Sequence, residues 1–153
     1  MRAKWGWAAL LLAASAPAAG QTVTARDPDA MARLLQGKGY RAELLQGENG
    51  PYIRSGDSGL TFSIFFLNCE AKKDCKTVQF FTGFNDAGEV PLARINEWNK
   101  TKRFTRAYID DEQDPVLEMD VDLEYGMAQQ NFLENLAIWT ANIAAYRDFI
   151  FKK

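Results

Sequence analysis

The stretch from Leu60 to Phe84 constrains the fold of this chain more than any other. It consists of two apolar segments joined by a short charged loop, and the loop is bounded by Cys69 and Cys75. Apolar residues occupy every second position of the first segment, which is the pattern of a strand with one fully apolar face. The stretch therefore predicts a β-hairpin at the centre of a sheet.

The positions of the two cysteines indicate how the hairpin strands pair. If Cys69 lies opposite Cys75, an antiparallel register follows in which apolar residues of one face meet each other. The pairs that meet in this register are Phe66 with Val78, Ile64 with Phe80, and Leu60 with Phe84. This agreement is what the selection of a strand register requires.

The second face of the hairpin carries Phe65, Leu67 and Phe81 among polar residues. The same register places the disulfide on this face too, unless a bulge intervenes. If no helix covers the face, the three side chains form an exposed apolar patch, which marks a partner surface or a dimer interface. The alternative is burial under the first or second predicted helix.

The first twenty residues have the pattern of a secretory signal peptide. Arg2 and Lys4 precede a short apolar run, Trp5–Ala14, and small residues follow it, with cleavage expected near Ala18–Gly20. An uncleaved membrane anchor is the alternative, but a bilayer core needs about 20 apolar residues and this run is shorter. We therefore expect residues 21–153 to form one exported domain, periplasmic or secreted, with no membrane association after cleavage.

Export affects how the two cysteines are interpreted. In an oxidising compartment two cysteines usually pair, which predicts a structural disulfide between Cys69 and Cys75. Two ligands without a histidine are too few for a structural zinc site. The spacing also differs from the C-x-x-C redox motif, so a catalytic thiol pair is the weaker alternative.

Composition excludes several classes of function. The chain has 153 residues, which suggests one domain, and its 47% hydrophobic content is sufficient for a core. It contains no histidine, which removes Ser-His-Asp and Cys-His nucleophile pairs and histidine metal sites. A net charge of -2 gives no electrostatic footprint for nucleic acid. No cofactor and no catalytic residues are indicated.

The remaining elements alternate between helices and short strands. Asp27 and Pro28 have the pattern of a helix start, and a second helix is predicted from about Pro91 to Asn99. A long helix follows Gly126. Besides the central hairpin, the predicted strands are Arg41–Leu45, Tyr52–Arg54, Phe104–Asp110 and Val116–Glu124. The apolar stripe of the last helix consists of Phe132, Leu136, Trp139, Ile143, Tyr146 and Ile150.

The acidic stretch Asp110–Glu124 contains eight carboxylates and no basic residue. A solvated strand face, balanced by Arg103 and Arg106, is one interpretation. A cation site is the other, although carboxylates two residues apart on a strand are about 7 Å from each other. Its candidate ligands are Asp110, Asp111, Asp114 and Asp120. Paired carboxylates also occur in glycoside hydrolases, but nothing else here indicates a sugar cleft.

Several segments together resemble the YbjN family, labelled bacterial sensory transduction regulators. They are the cysteine-flanked hairpin, Ile95–Asn99, Arg103–Tyr108, Asp114–Leu117 and the helix around Trp139. The resemblance covers roughly residues 23 to 150. It implies an α+β fold like that of type III secretion chaperones, with an antiparallel sheet of about five strands packed by helices. Those chaperones are dimeric polypeptide binders, and the family brings no catalytic residues.

Two functions follow as expectations. The first is an exported, non-enzymatic binding module, chaperone-like or regulatory, that binds a polypeptide partner or forms a homodimer. The second is a cation-binding sensor or enzyme that uses the acidic hairpin Asp110–Glu124. A structural envelope protein without a ligand is a third possibility.

Overall fold

The computed structural model describes residues 21–152, and within them the fold is α+β. A six-stranded antiparallel sheet has the strand order β2-β3-β4-β5-β7-β6, and a separate two-stranded sheet pairs β1 with β8. The elements in chain order are β1 (Thr22–Val23), α1 (Pro28–Gly37), β2 (Arg41–Gly47), β3 (Gly50–Asp57), β4 (Leu60–Leu67), β5 (Thr77–Gly83), α2 (Leu92–Thr101), β6 (Arg106–Ile109), β7 (Pro115–Asp122), β8 (Met127–Ala128) and α3 (Gln129–Phe151). The predicted α+β class is confirmed, with six strands in the main sheet instead of about five. None of the helices described is long and apolar enough to cross a membrane.

The central hairpin has the predicted register. Ile64 pairs with Phe80 and Phe66 with Val78 across β4 and β5, and all four side chains are buried. The paired segment ends at Ser63, so it stops before the predicted pair of Leu60 with Phe84. Matching apolar residues across the two strands was thus sufficient to fix the register, because a slip of one residue would expose every one of them.

The disulfide is formed, but it lies on the other side of the sheet from the one predicted. The ladder between β4 and β5 ends at Leu67, and Asn68 then turns the chain with a φ of 54°. Cys75 is only 2% exposed and belongs to the hydrophobic core, where it is bonded to Cys69. The prediction that the disulfide shares the face of Phe65 was wrong, because strand alternation does not continue through this turn.

The helices begin and pack largely as their sequences predict. The side chain of Asp27 accepts a hydrogen bond from the Ala30 amide at 2.8 Å, and Pro28 occupies the first turn of α1. Helix α2 ends at Thr101, two residues beyond the predicted end. Trp139 of α3 packs against Phe62 and Phe80 of the sheet, as part of a stripe that is buried throughout. The buried stripe consists of Phe132, Leu136, Trp139, Ile143, Tyr146 and Ile150.

The two-stranded sheet was not predicted, since residues 21–26 have no strand periodicity. Thr22 pairs with Ala128 and Val23 with Met127. The carbonyl of Gln21 also accepts a hydrogen bond from the Gln129 amide at 2.9 Å, at the first turn of α3. The start of the described chain is therefore attached to the start of the longest helix.

Gly126 makes this attachment possible, and replacing it should be costly. Its φ is +78°, and a Cβ atom there would lie 2.4 Å from the Cγ2 methyl of Thr22. We expect Gly126→Ala to lower the free energy of unfolding by about 1–3 kcal/mol, measured by urea denaturation. Gly88→Ala is the matched control, because its φ is +66° but no atom lies within 4 Å of the added carbon. Equal losses in the two variants would contradict the predicted clash, whereas adding Thr22→Ala should recover part of the Gly126→Ala loss.

Candidate binding face of the sheet

All three helices described in residues 21–152 pack on the same face of the six-stranded sheet. The strand residues that join the helices in the core, such as Ile53, Ile64 and Phe80, alternate with residues that point to the opposite face. We call this opposite face, which no described helix covers, the open face. Its side chains are available to another molecule without moving a described helix.

An aromatic strip, defined here as Tyr52, Phe65 and Phe81, crosses the centre of the open face. The ring of Phe65 lies 5.7 Å from that of Tyr52 and 5.6 Å from that of Phe81, measured between centroids. The three rings come from neighbouring strands β3, β4 and β5, and each is partly exposed. Aromatic contacts at these distances hold the rings in place, so the strip is a preformed apolar surface.

The structure brings the three residues of the predicted patch together on the open face. Phe65, Leu67 and Phe81 are partly exposed, and no described helix packs over them. Sequence analysis did not include Tyr52 in the patch, because its place beside Phe65 depends on the pairing of β3 with β4. Whether the patch binds a partner stays a prediction at this point.

A groove of about 300 Å³ lies at one end of the aromatic strip. Tyr52, Phe65, Leu67 and Gln79 line it, together with the turn between β2 and β3 at 47–51. The Nζ of Lys72 donates a hydrogen bond to the backbone carbonyl of Glu48 in this turn at 2.8 Å. The disulfide loop therefore contacts one wall of the groove.

A buried carboxylate borders the other end of the strip. Glu118 lies opposite Phe81 on the neighbouring strand and is only 5% exposed. The hydroxyl of Tyr108 donates a hydrogen bond to its Oε1 at 2.7 Å, and the guanidinium of Arg106 donates to its Oε2. The two donors come from β6, which pairs with β7, and together they neutralise and solvate the carboxylate.

Sequence analysis offered a solvated strand face as one interpretation of Asp110–Glu124, and for Glu118 that interpretation was wrong. Asp120 and Asp122 are exposed as predicted, but β7 ends at Asp122, before Glu124. Arg106 does balance one of these carboxylates, that of Glu118, whereas the guanidinium of Arg103 lies over the ring of Phe104 instead. The signal that was missed is an arginine and a tyrosine two residues apart on β6, which places both side chains on the same face as Glu118.

The environment of Glu118 also affects the ionisation of its two donors. Burial, followed by the hydrogen bond to Glu118 and the charge of that carboxylate, raises the pKa of Tyr108 to about 12. The hydrogen bond and the charge of Glu118 likewise raise the pKa of Arg106 above its ordinary value. Both shifts favour the protonated donors that the carboxylate requires.

The raised pKa of Tyr108 predicts that its phenol ionises at a higher pH than an ordinary tyrosine. The protonated phenol is favoured in the folded protein, so its contribution to stability is complete below pH 10 and is lost as the pH rises towards 12. Burial also raises the pKa of Tyr146. We expect the ultraviolet absorbance change of tyrosine ionisation to include a component near pH 12, which Tyr108→Phe reduces. A titration unchanged by Tyr108→Phe would contradict the assignment, with Tyr125→Phe, at an exposed position, as the control.

The acidic loop, which joins β6 to β7, is held by hydrogen bonds between the side chain of Asp110 and the backbone of the loop. Oδ1 of Asp110 accepts hydrogen bonds from the amides of Glu112 at 3.0 Å and Asp114 at 2.8 Å. Asp110, Asp111 and Asp114 line one groove of about 800 Å³. Asp120, the fourth predicted cation ligand, lies instead on the open face.

The structure does not assemble the predicted cation ligands. Asp120 accepts a hydrogen bond from Gln79 of β5 at 3.0 Å, away from the acidic loop. Among residues 21–152, no three His, Cys, Asp or Glu side chains gather in a way that could hold a metal ion. Cation binding by this hairpin stays a prediction.

Comparison with known families gives a match over most of the chain. A family model described as "YbjN: Putative bacterial sensory transduction regulator" matches residues 27–152, which include every element except β1. Comparisons with curated proteins and with solved structures found no match. The likeness to secretion chaperones therefore stays a prediction.

Proposed function

Because the chain belongs to the YbjN family of bacterial sensory transduction regulators, we propose that it regulates by binding a polypeptide through the open face, as an exported module without catalytic activity. The observation that carries this proposal is the aromatic strip Tyr52, Phe65 and Phe81, which lies partly exposed on a sheet face without a described helix. Contiguous exposed apolar surface of this kind marks interaction sites.

The strip is suited to binding because little must change when a partner covers it. Its rings are held by the sheet and by each other, so ordering them costs little conformational entropy. Removing them from water contributes roughly 25 cal/mol for each Å² of apolar surface buried. Aromatic side chains are also frequent among the residues that dominate binding energy at protein interfaces.

The pairing of Glu118 within the chain supports the same proposal, because it leaves no unpaired carboxylate beside the strip. A free carboxylate beside Phe81 would have to be desolvated when a partner binds, which costs several kcal/mol. Tyr108 and Arg106 already provide its hydrogen bonds within the chain. A partner can therefore cover this end of the strip without leaving a buried charge unsatisfied.

Export is part of the proposal and rests on two features. The first twenty residues have the composition of a signal peptide, although they lie outside the residues that the structure describes. The disulfide between Cys69 and Cys75 suits an oxidising compartment such as the periplasm. We expect the partner to be found in the cell envelope or outside the cell.

A pull-down with paired variants tests the proposed function. Residues 21–153, which contain every element described above, would be purified in oxidised form and incubated with envelope extract from the native host. We expect a defined polypeptide to co-purify with the wild type and to be lost with Phe65→Ser/Phe81→Ser. The captured polypeptide would then be purified and its stoichiometry measured by light scattering, with about one partner per domain as the expected result.

The control removes apolar side chains that are more exposed and lie outside the open face. Leu92, at the start of α2, is 66% exposed, and Tyr125, in the loop after β7, is 92% exposed. Leu92→Ser/Tyr125→Ser should capture the polypeptide as the wild type does. Capture that survives the open-face substitutions, in variants whose circular dichroism shows them folded, would contradict the proposal.

A further inference from the structure

We propose that the open face also binds a second copy of this chain, forming a two-fold symmetric dimer whose axis lies in the interface and runs parallel to the strands. The inference rests on the proposed function to the extent that both treat the open face as a protein-binding surface. The inference adds that a second copy of the chain occupies the open face when the polypeptide partner is absent. The charges on the open face carry the argument.

The open face has opposite net charges on its two sides. On the side formed by β2 and β3, its charged residues are Arg41, Glu43 and Arg54, so this side is net positive. On the side formed by β7 and β6, they are Glu118, Asp120, Asp122 and Arg106, so this side is net negative. The aromatic strip lies between the two sides, across β3, β4 and β5. Such a surface is complementary to itself when one copy is turned over.

An axis parallel to the strands brings the opposite charges together. It places β4 of one copy over β5 of the other, and β3 over β7. Arg54 is 50% exposed and lies 3.9 Å from Glu43 of its own chain, and this axis also places it over the segment of β7 that contains the exposed Asp120 of the partner subunit. Glu43 lies on the side of the partner's β6, which carries the exposed guanidinium of Arg106.

The other two-fold arrangement, with its axis perpendicular to the strands, is electrostatically unfavourable. It places each strand over its own copy, so that the acidic β7 faces the acidic β7 of the partner subunit. With the axis at the level of Asp120, this exposed carboxylate would approach Asp120 of the partner subunit, and like charges across an interface are destabilising. Charge therefore selects the strand-parallel axis.

The size of the face indicates a reversible dimer. Six strands at a spacing of about 4.8 Å and four rows of outward side chains cover roughly 600 Å² on each copy. The total of about 1,200 Å² is at the lower end of the range for specific protein interfaces. The dimer would cover the aromatic strip, so a polypeptide partner would have to displace the second copy. Self-association would therefore set the protein concentration below which the open face is free.

Charge reversal on two exposed residues tests the arrangement. Sedimentation velocity of residues 21–153, from low micromolar to several hundred micromolar, should show a concentration-dependent dimer. Arg54→Glu and Asp120→Arg should each raise the dimer dissociation constant at least about tenfold, because each dimer then contains two repulsive contacts. An equimolar mixture of the two variants should dimerise like the wild type, since both contacts of the mixed dimer join opposite charges.

The controls reverse equivalent charges on exposed helix positions. Arg33→Glu on α1 and Glu97→Arg on α2 change the net charge equally and should leave the dissociation constant unchanged. The inference is overturned if the single variants still dimerise, or if their mixture remains monomeric. It is also overturned if the wild type is monomeric throughout. In that case the proposed function would stand as long as Phe65→Ser/Phe81→Ser still abolishes capture of the polypeptide.

Discussion

Replacing Trp139 by alanine is expected to lower the free energy of unfolding by about 3–5 kcal/mol. The indole is completely buried, and its ring lies 6.1 Å from that of Phe62 and 5.7 Å from that of Phe80, between centroids. It is one of the points at which α3 packs against the central hairpin. Truncation would remove apolar contacts from both elements and leave a cavity that the sheet and helix cannot close.

The control for this variant is Trp139→Phe. The indole Nε1 has no hydrogen-bond partner among residues 21–152, so phenylalanine removes a buried, unsatisfied donor while it retains most of the apolar volume. We expect Trp139→Phe to cost much less than Trp139→Ala, with both measured by urea denaturation. Similar losses in the two variants would show that the indole N–H is paired, by water for example, and that its loss is a major part of the cost.

Removing the disulfide by Cys69→Ala/Cys75→Ala is expected to lower the free energy of unfolding by about 2 kcal/mol. The bond closes a loop of six-residue sequence separation, so most of its effect comes from restricting the unfolded chain. Alanine is preferred to serine because Cys75 is buried among apolar side chains, where a hydroxyl would add a separate cost.

The measurement compares three samples by chemical denaturation. Oxidised wild type should be the most stable, and reduced wild type should resemble the double variant. The change should not affect the sheet register, which is fixed by the apolar pairs of β4 and β5. A double variant as stable as the oxidised protein would contradict a stabilising role for the bond.

The disulfide loop, residues 69–75, also contacts the open face, so removing the disulfide can affect binding as well as stability. Lys72 lies in this loop and holds the turn at Glu48 that forms one wall of the groove beside Tyr52. Loss of the bond would give this loop more freedom, and the wall of the groove would lose a fixed neighbour. Capture of the polypeptide by Cys69→Ala/Cys75→Ala would therefore show how far the groove contributes to binding.

The parts of the fold that sequence analysis predicted are those with a periodic apolar pattern. Ile64 and Phe80, for example, could be paired from sequence because only one register buries both strands. The stripe of α3 was similarly predictable, from Phe132 to Ile150, since its spacing follows the helical repeat. Each of these signals lies within one or two adjacent segments.

The parts that were not predicted depend on contacts between distant segments or on single backbone angles. The pairing of Thr22 with Ala128 involves two-residue strands, which are too short to show a periodic pattern. The burial of Glu118 depends on Tyr108 and Arg106 reaching it from β6, and an acidic residue in an acidic stretch gives no sign of this. The side on which the disulfide lies is decided by the turn at Asn68.

The coverage of only one sheet face separates two kinds of residue along β4. In β4, Phe62, Ile64 and Phe66 hold the fold together, while Ser63 and Phe65 between them face outward. These outward positions of β4 could be randomised together without disturbing the packing beneath them. The domain would then serve as a scaffold whose specificity is rewritten at alternate positions, with the hydrophobic core left as it is.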